Sequence, residues 1–307
     1  MAWLQLCCSW NKGHTPDGFS DVWIRKTERR ELLADLWNPS AIHAIARTFE
    51  ARLVPLNKAW PDIPQEDQFR PIVVLSPLFK WLERRFQHKL SRYMVEHLDP
   101  NQTGFVAGMG TSVNILLLTE RLRNTRRRAG ECCVFIDYKS AYNTVNRQRL
   151  YGILKAKNIL LPEEVDFLEG IHEALYFRCG SERYYLKNGV HQGSPISPAL
   201  FNVYMEDVMG QLSNKCAFTF WHKLYADDLV LCVHHSHLEA LLATLQDVSQ
   251  EYELRINPKK CAILAVRGHN RITAQMNLRG IPVATEYCYF GVMIDDAGSI
   301  APQLDRI

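Results

Sequence analysis

The stretch FTFWHKLYADDLVLCVHH, residues 218–235, decides the fold class, because its pattern predicts two β-strands joined by a tight turn. The turn carries Asp227 and Asp228, and apolar residues flank both carboxylates. Two adjacent buried carboxylates are costly unless a cation neutralises them. A hairpin turn presents both side chains at one edge of a sheet, where hard divalent cations such as Mg²⁺ accept carboxylate oxygens. The pattern favours a metal site, and an ordinary acidic β-turn is the alternative interpretation.

A third carboxylate, Asp137, ends the apolar run CCVFID, residues 132–137, which predicts a buried strand. One acid at a strand end and two at a neighbouring hairpin can hold two cations about 4 Å apart. Such a pair suits in-line phosphoryl or nucleotidyl transfer, because one cation lowers the pKa of the attacking hydroxyl and the other stabilises the leaving group. We therefore predict that Asp137, Asp227 and Asp228 are catalytic and bind metal.

Between these acids lies NGVHQGSPISP, residues 188–198, in which two glycines and two prolines predict a rigid turn before a helix at 199–212. Exposed backbone amides and Gln192 can face a nucleotide and its base-paired partner there. A loop that is only stiffened by proline is the alternative interpretation.

The length of 307 residues favours about two domains. Hydrophobic residues make up 47% and charged residues 22%, which excludes disordered and collagen-like classes. The apolar runs are too short for a transmembrane helix, and the start lacks the features of a secretory signal, so we expect an intracellular protein away from membranes. Nine cysteines without a C-x-x-C spacing predict reduced thiols and no structural zinc site.

Charge and pattern both change near residue 130. Residues 1–131 hold 19 Lys and Arg against 14 Asp and Glu, whereas residues 132–307 hold 17 against 19. A basic first part suits an anionic partner, although solvated helix faces produce similar asymmetry.

Local patterns predict the elements of the basic part. We expect, in order, two helices within 28–54, an ordered loop at 55–71, a strand at 72–75, a basic helix at about 77–97 and a helix at about 111–128.

The motifs together resemble the reverse transcriptases, most of all those of non-LTR (LINE-type) retrotransposons. The order is Asp137 with Ala141-Tyr142, then Gly189-x-x-Gln192-Gly193-x-x-x-Ser197-Pro198, then Tyr225-Ala226-Asp227-Asp228. Further blocks resemble the family in the same order: Lys12–Gly18, Phe69–Ile72 with Lys80, Gln102–Phe105, Gly108–Thr111, Asn257–Lys260 and Tyr289–Val292.

The resemblance implies an α/β (α+β) right-hand polymerase fold with fingers and a ferredoxin-like palm built on an antiparallel sheet, and without a thumb. Residues 1–131 would form the fingers, with further elements in 138–185, and residues 132–307 the palm with the catalytic motifs. The reverse transcriptase domain as a whole would span about 55–307.

The resemblance also implies roles around the three aspartates, which would hold two Mg²⁺ ions that Mn²⁺ can replace. The backbone carbonyl of Tyr138 would be an additional ligand, and Tyr142 would exclude a ribose 2′-OH. Lys260, with Lys259 as a fallback, would protonate the pyrophosphate leaving group. Tyr289, Phe290 and Gly291 would form the primer grip.

Other implied roles concern the nucleotide and the template. Arg70 would bind the triphosphate, since its guanidinium matches phosphate oxygens, and Gln192 and Gly193 would lie under the templating pair. The implied partners are an RNA template, a DNA primer and dNTPs, with the oligomeric state left open. Basic side chains would follow the template backbone, unless they only form solvated helix faces: Arg84, Arg85, Arg126 and Arg127.

Three departures from the family pattern stand out. Asn143 replaces the usual Asp, Val106 replaces a usual Arg, and little sequence follows the primer-grip block. A fragment of a polyprotein, a decayed gene copy and a short stand-alone protein are therefore all considered.

Several alternatives to a reverse transcriptase remain at this stage. They are an RNA-directed RNA polymerase, which Tyr142 disfavours, an organellar intron maturase, and a non-catalytic RNA-binding protein on the same scaffold. The compartment would be the nucleus or an organelle.

Overall fold

The computed structural model describes residues 49–58, 61–63, 69–123, 130–266, 277–295 and 299–302. The chain divides into unit 1, Met1–Tyr93 with Val145–Phe201, and unit 2, Met94–Thr144 with Asn202–Ile307. Each unit is thus built from two separate stretches of sequence. The division into fingers and palm at residue 131 stays a prediction.

The described residues form both helices and strands. The helices are α1 (Pro77–Glu96), α2 (Thr111–Arg123), α3 (Ala141–Thr144), α4 (Arg147–Ala156), α5 (Pro162–Ala174), α6 (Ser197–Lys215) and α7 (His235–Glu251), with a 3₁₀ turn at Pro258–Lys260. The strands are β1 (Glu50–Asn57), β2 (Phe69–Val74), β3 (Glu131–Ile136), β4 (Tyr176–Cys179), β5 (Glu182–Tyr185), β6 (Trp221–Tyr225), β7 (Asp228–His234), β8 (Ala262–Ala265), β9 (Asn277–Leu278), β10 (Ile281–Ala284), β11 (Glu286–Tyr289), β12 (Val292–Asp295) and β13 (Ile300–Pro302). None of the helices in the described ranges is long and apolar enough to cross a membrane.

Unit 1 contains a sheet in the order β2-β1-β4-β5. β1 and β2 overturn part of the sequence prediction, because residues 50–54 were expected in a helix, and residues 55–57 and 69–71 in a loop. β1 pairs antiparallel with β2, and Pro55 lies opposite Pro71. In an antiparallel pair, every second pair of opposite residues exchanges no backbone hydrogen bonds, and two prolines can occupy such a pair. Pro55, which suggested a loop, therefore fits within the strand.

The helices of unit 1 begin at recognisable caps. The side chain of Asn146 accepts a hydrogen bond of 2.9 Å from the backbone N of Arg149 at the start of α4. α5 begins at Pro162, and Glu164 reaches back to accept a hydrogen bond of 3.0 Å from the backbone N of Leu161. The helix predicted at 77–97 is confirmed as α1, and the helices predicted before residue 49 lie outside the described residues.

Unit 2 is built on a sheet in the order β6-β7-β3-β8-β10-β9. β3 is antiparallel to both β7 and β8, whereas β10 is parallel to β8. All six residues of β3 are buried, which explains why its sequence is apolar from Cys132 to Ile136. The predicted mixed α/β fold with an antiparallel central sheet is confirmed. The core between this sheet, α2 and the β11-β12-β13 sheet includes Leu118, Leu122, Cys133, Phe135, Val230, Cys232, Leu264, Val266, Tyr289 and Ile294.

Candidate active site

The β6–β7 hairpin forms the centre of the candidate site. Tyr225 pairs with Asp228, so Ala226 and Asp227 form a two-residue connection, and the strand–turn–strand predicted from the sequence is confirmed. Ala226 is buried and has a φ of 56°, in the left-handed region. That conformation costs a residue with a Cβ about 1–2 kcal/mol, so the surrounding structure must hold it.

The structure brings Asp137, Asp227 and Asp228 to the same edge of the sheet. β3 lies beside β7 with Ile136 opposite Leu229, which places Asp137 next to the start of β7. Burial raises the pKa of Asp228 to about 6, and the negative charges of Asp227 and Asp137 add to the increase. The three carboxylates are half-buried and repel one another, so a bound divalent cation would offset their negative charge. Carboxylate oxygens are also the ligands that hard cations prefer.

Asp137 is held from the loop that follows α7. The side-chain amide of Asn257 donates a hydrogen bond of 3.1 Å to Asp137 Oδ2, and the backbone N of Asn257 donates one of 2.8 Å to the carbonyl of Asp137. Lys260 Nζ lies 3.9 Å from Asp137 Oδ1, and its side chain is 66% exposed. The only sequence signal for Asn257 was its place in the Asn257–Lys260 block, and no role followed from that.

Two tyrosines near the carboxylates, Tyr138 and Tyr287, direct their hydroxyls to different partners. The Tyr138 side chain is buried, and its hydroxyl lies 3.2 Å from Ser249 Oγ, so its ring points into the core. Tyr287, which the sequence did not single out, stacks on Phe135 with ring centroids 4.2 Å apart and donates a hydrogen bond of 3.0 Å to the carbonyl of Lys260. Burial, followed by the charge of Asp228, raises the pKa of Tyr287 to about 12.

Tyr142 lies in α3, after the strand that leads to Asp137. Its ring is half-buried and meets Phe105 edge-on, with ring centroids 6.5 Å apart. Burial raises the pKa of Tyr142 well above its usual value, and the charge of Asp227 adds to the increase. The hydroxyl therefore lies within electrostatic range of Asp227.

The predicted primer-grip residues form the β11–β12 hairpin. Tyr289 pairs with Val292, and the connecting Phe290 and Gly291 both have positive φ, 50° and 81°. The Phe290 ring meets the Tyr225 ring edge-on with centroids 5.5 Å apart, so the β11–β12 hairpin contacts the β6–β7 hairpin.

In unit 1, the loop with Gln192 and Gly193 is attached to β2. The backbone N of Val73 donates a hydrogen bond of 2.7 Å to the carbonyl of Gln192. Gly193 has a φ of 135°, and a Cβ at this position would lie 2.1 Å from the carbonyl oxygen of Val73. Only glycine fits such a close approach. Arg70 lies on the same strand and is exposed.

The predicted template-binding arginines are only partly within the described residues. Arg84 and Arg85 are exposed on α1. Lys89, on the same helix, pairs with Glu164 at 2.7 Å. Arg126 and Arg127 lie outside the described residues.

A second cluster in unit 1 has the composition of a metal site. Among the described residues, Glu83, His172 and His191 offer one ligand atom each within 4.8 Å of one another. However, Arg147 Nη2 lies 2.9 Å from His191 Nε2. A guanidinium can only donate, so Nε2 accepts and the proton of the neutral ring is on Nδ1, where it blocks coordination. We therefore interpret this cluster as a buried hydrogen-bond network.

Comparison with known proteins places the chain in a family. The family model described as "Reverse transcriptase (RNA-dependent DNA polymerase)" matches residues 61–294. The chain is similar to the "Retrovirus-related Pol polyprotein from type-1 retrotransposable element R2" of Nasonia vitripennis, at 25% identity over 94% of this chain and 30% of that protein. It is also similar to the "RNA-directed DNA polymerase from mobile element jockey" of Drosophila funebris, at 26% identity over 75% and 27%. The chain thus spans less than a third of the length of these curated relatives.

Solved structures agree on the fold. The apo telomerase of Candida tropicalis superposes with a TM-score of 0.55 at 12% sequence identity, over 92% of this chain and 54% of that chain. The telomerase of Candida albicans in complex with a fragment of telomeric RNA gives a TM-score of 0.53 at 11% identity, over 89% and 50%. At this level of identity the similarity concerns the fold.

Proposed function

The chain belongs to the reverse transcriptase (RNA-dependent DNA polymerase) family, and from that premise we propose that it synthesises DNA on an RNA template as part of a non-LTR retrotransposon-like element. In the proposed reaction, the 3′-OH of a DNA primer attacks the α-phosphate of a dNTP and pyrophosphate leaves. The observation that carries the proposal is the grouping of Asp137, Asp227 and Asp228, where burial and mutual repulsion raise the pKa of Asp228 to about 6.

Asp137, Asp227 and Asp228 would hold two Mg²⁺ ions, which Mn²⁺ can replace. Such ions supply a lower pKa for an attacking hydroxyl and charge stabilisation at a leaving phosphate. The chain contributes the orientation of the ligands: Asn257 fixes one oxygen of Asp137 at 3.1 Å, and the hairpin fixes the other two carboxylates. The Tyr138 carbonyl is a further candidate ligand.

Lys260 is the proposed general acid for the departing pyrophosphate. Its exposed ammonium lies 3.9 Å from Asp137 Oδ1, so it is next to the carboxylates and still accessible to a substrate. Tyr289, Phe290 and Gly291 are proposed to hold the primer end, which the contact between Phe290 and Tyr225 supports.

The remaining roles follow from the family resemblance. Tyr142 is the proposed barrier to a ribose 2′-OH, Arg70 the ligand of the triphosphate, and Gln192 with Gly193 the support of the templating pair. The basic side chains proposed to follow the template backbone are Arg84, Arg85, Arg126 and Arg127.

The direct test is Mg²⁺-dependent extension of a DNA primer on an RNA template, with dNTPs and then with rNTPs. We expect extension with dNTPs and a loss of at least about a hundredfold in Asp227→Asn. Asp166→Asn is the matched control, because Asp166 is 61% exposed on α5 and pairs with Lys155 at 2.7 Å on the surface.

Two outcomes would reject the proposal in different ways. RNA binding by a folded protein without any extension would point to a non-catalytic protein on a polymerase scaffold. Extension with rNTPs and little or none with dNTPs would point to an RNA polymerase.

A further inference from the structure

The turn of the β6–β7 hairpin, Ala226–Asp227, has a backbone conformation that alanine does not favour. Ala226 is left-handed at a φ of 56° and is 5% exposed, yet it directly precedes Asp227. Glycine is the usual residue for this conformation, so contacts from elsewhere must select it here.

Gln102 makes those contacts with both ends of its side-chain amide. Its Nε2 donates a hydrogen bond of 3.2 Å to the carbonyl of Ala226, and its Oε1 accepts one of 2.9 Å from the backbone N of Ala226. The same Oε1 accepts a hydrogen bond of 2.9 Å from the backbone N of Gly104. Gln102 is 4% exposed, so water does not compete effectively for these groups.

The segment that carries Gln102 fits closely behind the turn. A Cβ on Gly104 would lie 2.2 Å from the backbone N of Ala226, so only glycine allows this approach. The side chain of Asn202 donates a hydrogen bond of 2.6 Å to the carbonyl of Gly104, which fixes the segment from α6.

The same segment also pairs with β6 just before the turn. The backbone N of Leu224 donates to the carbonyl of Asn101 at 2.9 Å, and the backbone N of Thr103 donates to the carbonyl of Leu224 at 3.0 Å. The side-chain amide of Asn114 donates to the same carbonyl at 3.0 Å. Gln102 is therefore presented to Ala226 by a fixed support.

We propose that Gln102 is a positioning residue of the active site, which holds Ala226 in its left-handed conformation and thereby sets where Asp227 and Asp228 lie relative to Asp137. The inference rests on the proposed function for its effect on catalysis. Glutamine suits the role because it offers a donor and an acceptor at one fixed spacing. Glutamate would lose the donor, and methionine has a similar shape and lacks both groups.

The test compares Gln102→Met with Gln246→Met in the same 307-residue chain. Gln246 on α7 also uses both ends of its side-chain amide: its Nε2 donates a hydrogen bond of 3.0 Å to the carbonyl of Arg279, and its Oε1 accepts one of 3.1 Å from Arg279 Nη1, with both bonds at the surface. Two readouts are measured: the Kd of Mn²⁺, from the electron paramagnetic resonance signal of the free ion, and kcat and KM for dNTP in primer extension.

We expect Gln102→Met to weaken Mn²⁺ binding at least fivefold and to lower kcat at least tenfold, with KM for dNTP within a factor of two. Gln246→Met should stay within a factor of two in all three quantities. A Gln102→Met protein that is folded and has wild-type Mn²⁺ affinity and kcat would overturn the inference.

A rescue experiment separates positioning from general stabilisation. Ala226→Gly accepts the left-handed backbone without a Cβ penalty, so in the Gln102→Met background it should restore kcat at least fivefold. A double variant that is no better than Gln102→Met would overturn the inference. If Gln102→Met does not fold, Gln102→Glu, which keeps the acceptor, takes its place in the same comparison with the same criteria.

The Mn²⁺ measurement keeps the two proposals apart. A wild-type chain without polymerase activity, whose Mn²⁺ affinity still falls in the Gln102 variant, would contradict the proposed function and support the positioning role.

Discussion

Tyr142 is the residue at which the preference for dNTPs over rNTPs can be tested. Its half-buried ring lies edge-on against Phe105, and its hydroxyl is close enough to Asp227 for that charge to contribute to its raised pKa. In the proposed function this ring is the barrier to a ribose 2′-OH.

We expect Tyr142→Val to lower the preference for dNTPs over rNTPs by about 10-fold or more, because a smaller side chain removes the steric penalty. The measurement is the ratio of kcat/KM for the two nucleotides in primer extension. Tyr138→Phe is the control, since the Tyr138 ring points into the core beside Ser249. A ratio that does not change in Tyr142→Val would contradict the steric role.

Charged residues at the ends of strands could be predicted from the sequence, but the residues that orient these charged side chains could not. Asp137, Asp227 and Asp228 stand out because burial makes unpaired carboxylates costly. Asn257 and Gln102 have no such signal. Each contacts its partner across more than a hundred residues of sequence, so only the folded chain reveals the pair.

Among the elements, the connection between the Gln192 loop and β2 depends on Gly193. Alanine at this position would place a Cβ 2.1 Å from the carbonyl oxygen of Val73, at a φ of 135°. We expect Gly193→Ala to lower the free energy of unfolding by about 2 kcal/mol or more, or to displace the loop and lower primer extension.

The control for Gly193→Ala is Gly152→Ala. Gly152 lies exposed within α4, and a Cβ there meets nothing within 4 Å. Since alanine favours the helix, we expect this variant to be more stable by about 0.5–1 kcal/mol. Urea unfolding measures both changes, and equal effects of the two substitutions would contradict the proposed close approach.

The buried network in unit 1 should give the stability of the protein a pH dependence. Burial raises the pKa of Glu83 to about 8, although Ser194, Lys80 and Arg147 act in the opposite direction. Glu83 is fully buried beside His172, whose Nε2 lies 3.2 Å from Glu83 Oε1. Burial lowers the pKa of His172 and of His191, so both rings are neutral.

Because the native state binds the proton of Glu83 more tightly than the unfolded chain, stability due to this group is present below the unfolded pKa and is lost as pH rises through about 8. We expect Glu83→Gln to remove this loss, so the variant gains stability relative to wild type by a few kcal/mol between pH 5 and pH 9. Urea unfolding across this range measures the difference between the two proteins, in which the histidine titrations largely cancel. A difference that is constant with pH would contradict a protonated Glu83.

The elements also show where sequence patterns mislead. The hairpin β6–β7 and the buried strand β3 are recognisable because their apolar runs end at turns or charges. β1 is not, because Pro55 interrupts its pattern and its partner Pro71 is visible only once the strands pair. A proline signals a loop only when its missing N–H is needed by a neighbour.

Metal binding should raise the free energy of unfolding of the whole molecule. A hundredfold excess of Mg²⁺ or Mn²⁺ over its Kd would add about 2.7 kcal/mol to the free energy of unfolding. We expect a higher melting temperature in Mg²⁺ for the wild type and for Asp166→Asn, and a loss of this shift in Asp227→Asn. A full shift in Asp227→Asn would place the cation elsewhere.

The way the chain crosses between its two units has a consequence for synthesis on the ribosome. The first part of unit 1 ends at Tyr93, but its second part begins only at Val145 and ends at Phe201. At a translation rate of about 5–20 residues per second, the nascent first part waits several seconds for its partner. Nascent chains that end before Val145 contain the first part of both units and can complete neither. During that interval the apolar side of α1 lacks the partners that the second part of unit 1 supplies, such as Phe167 against Phe86.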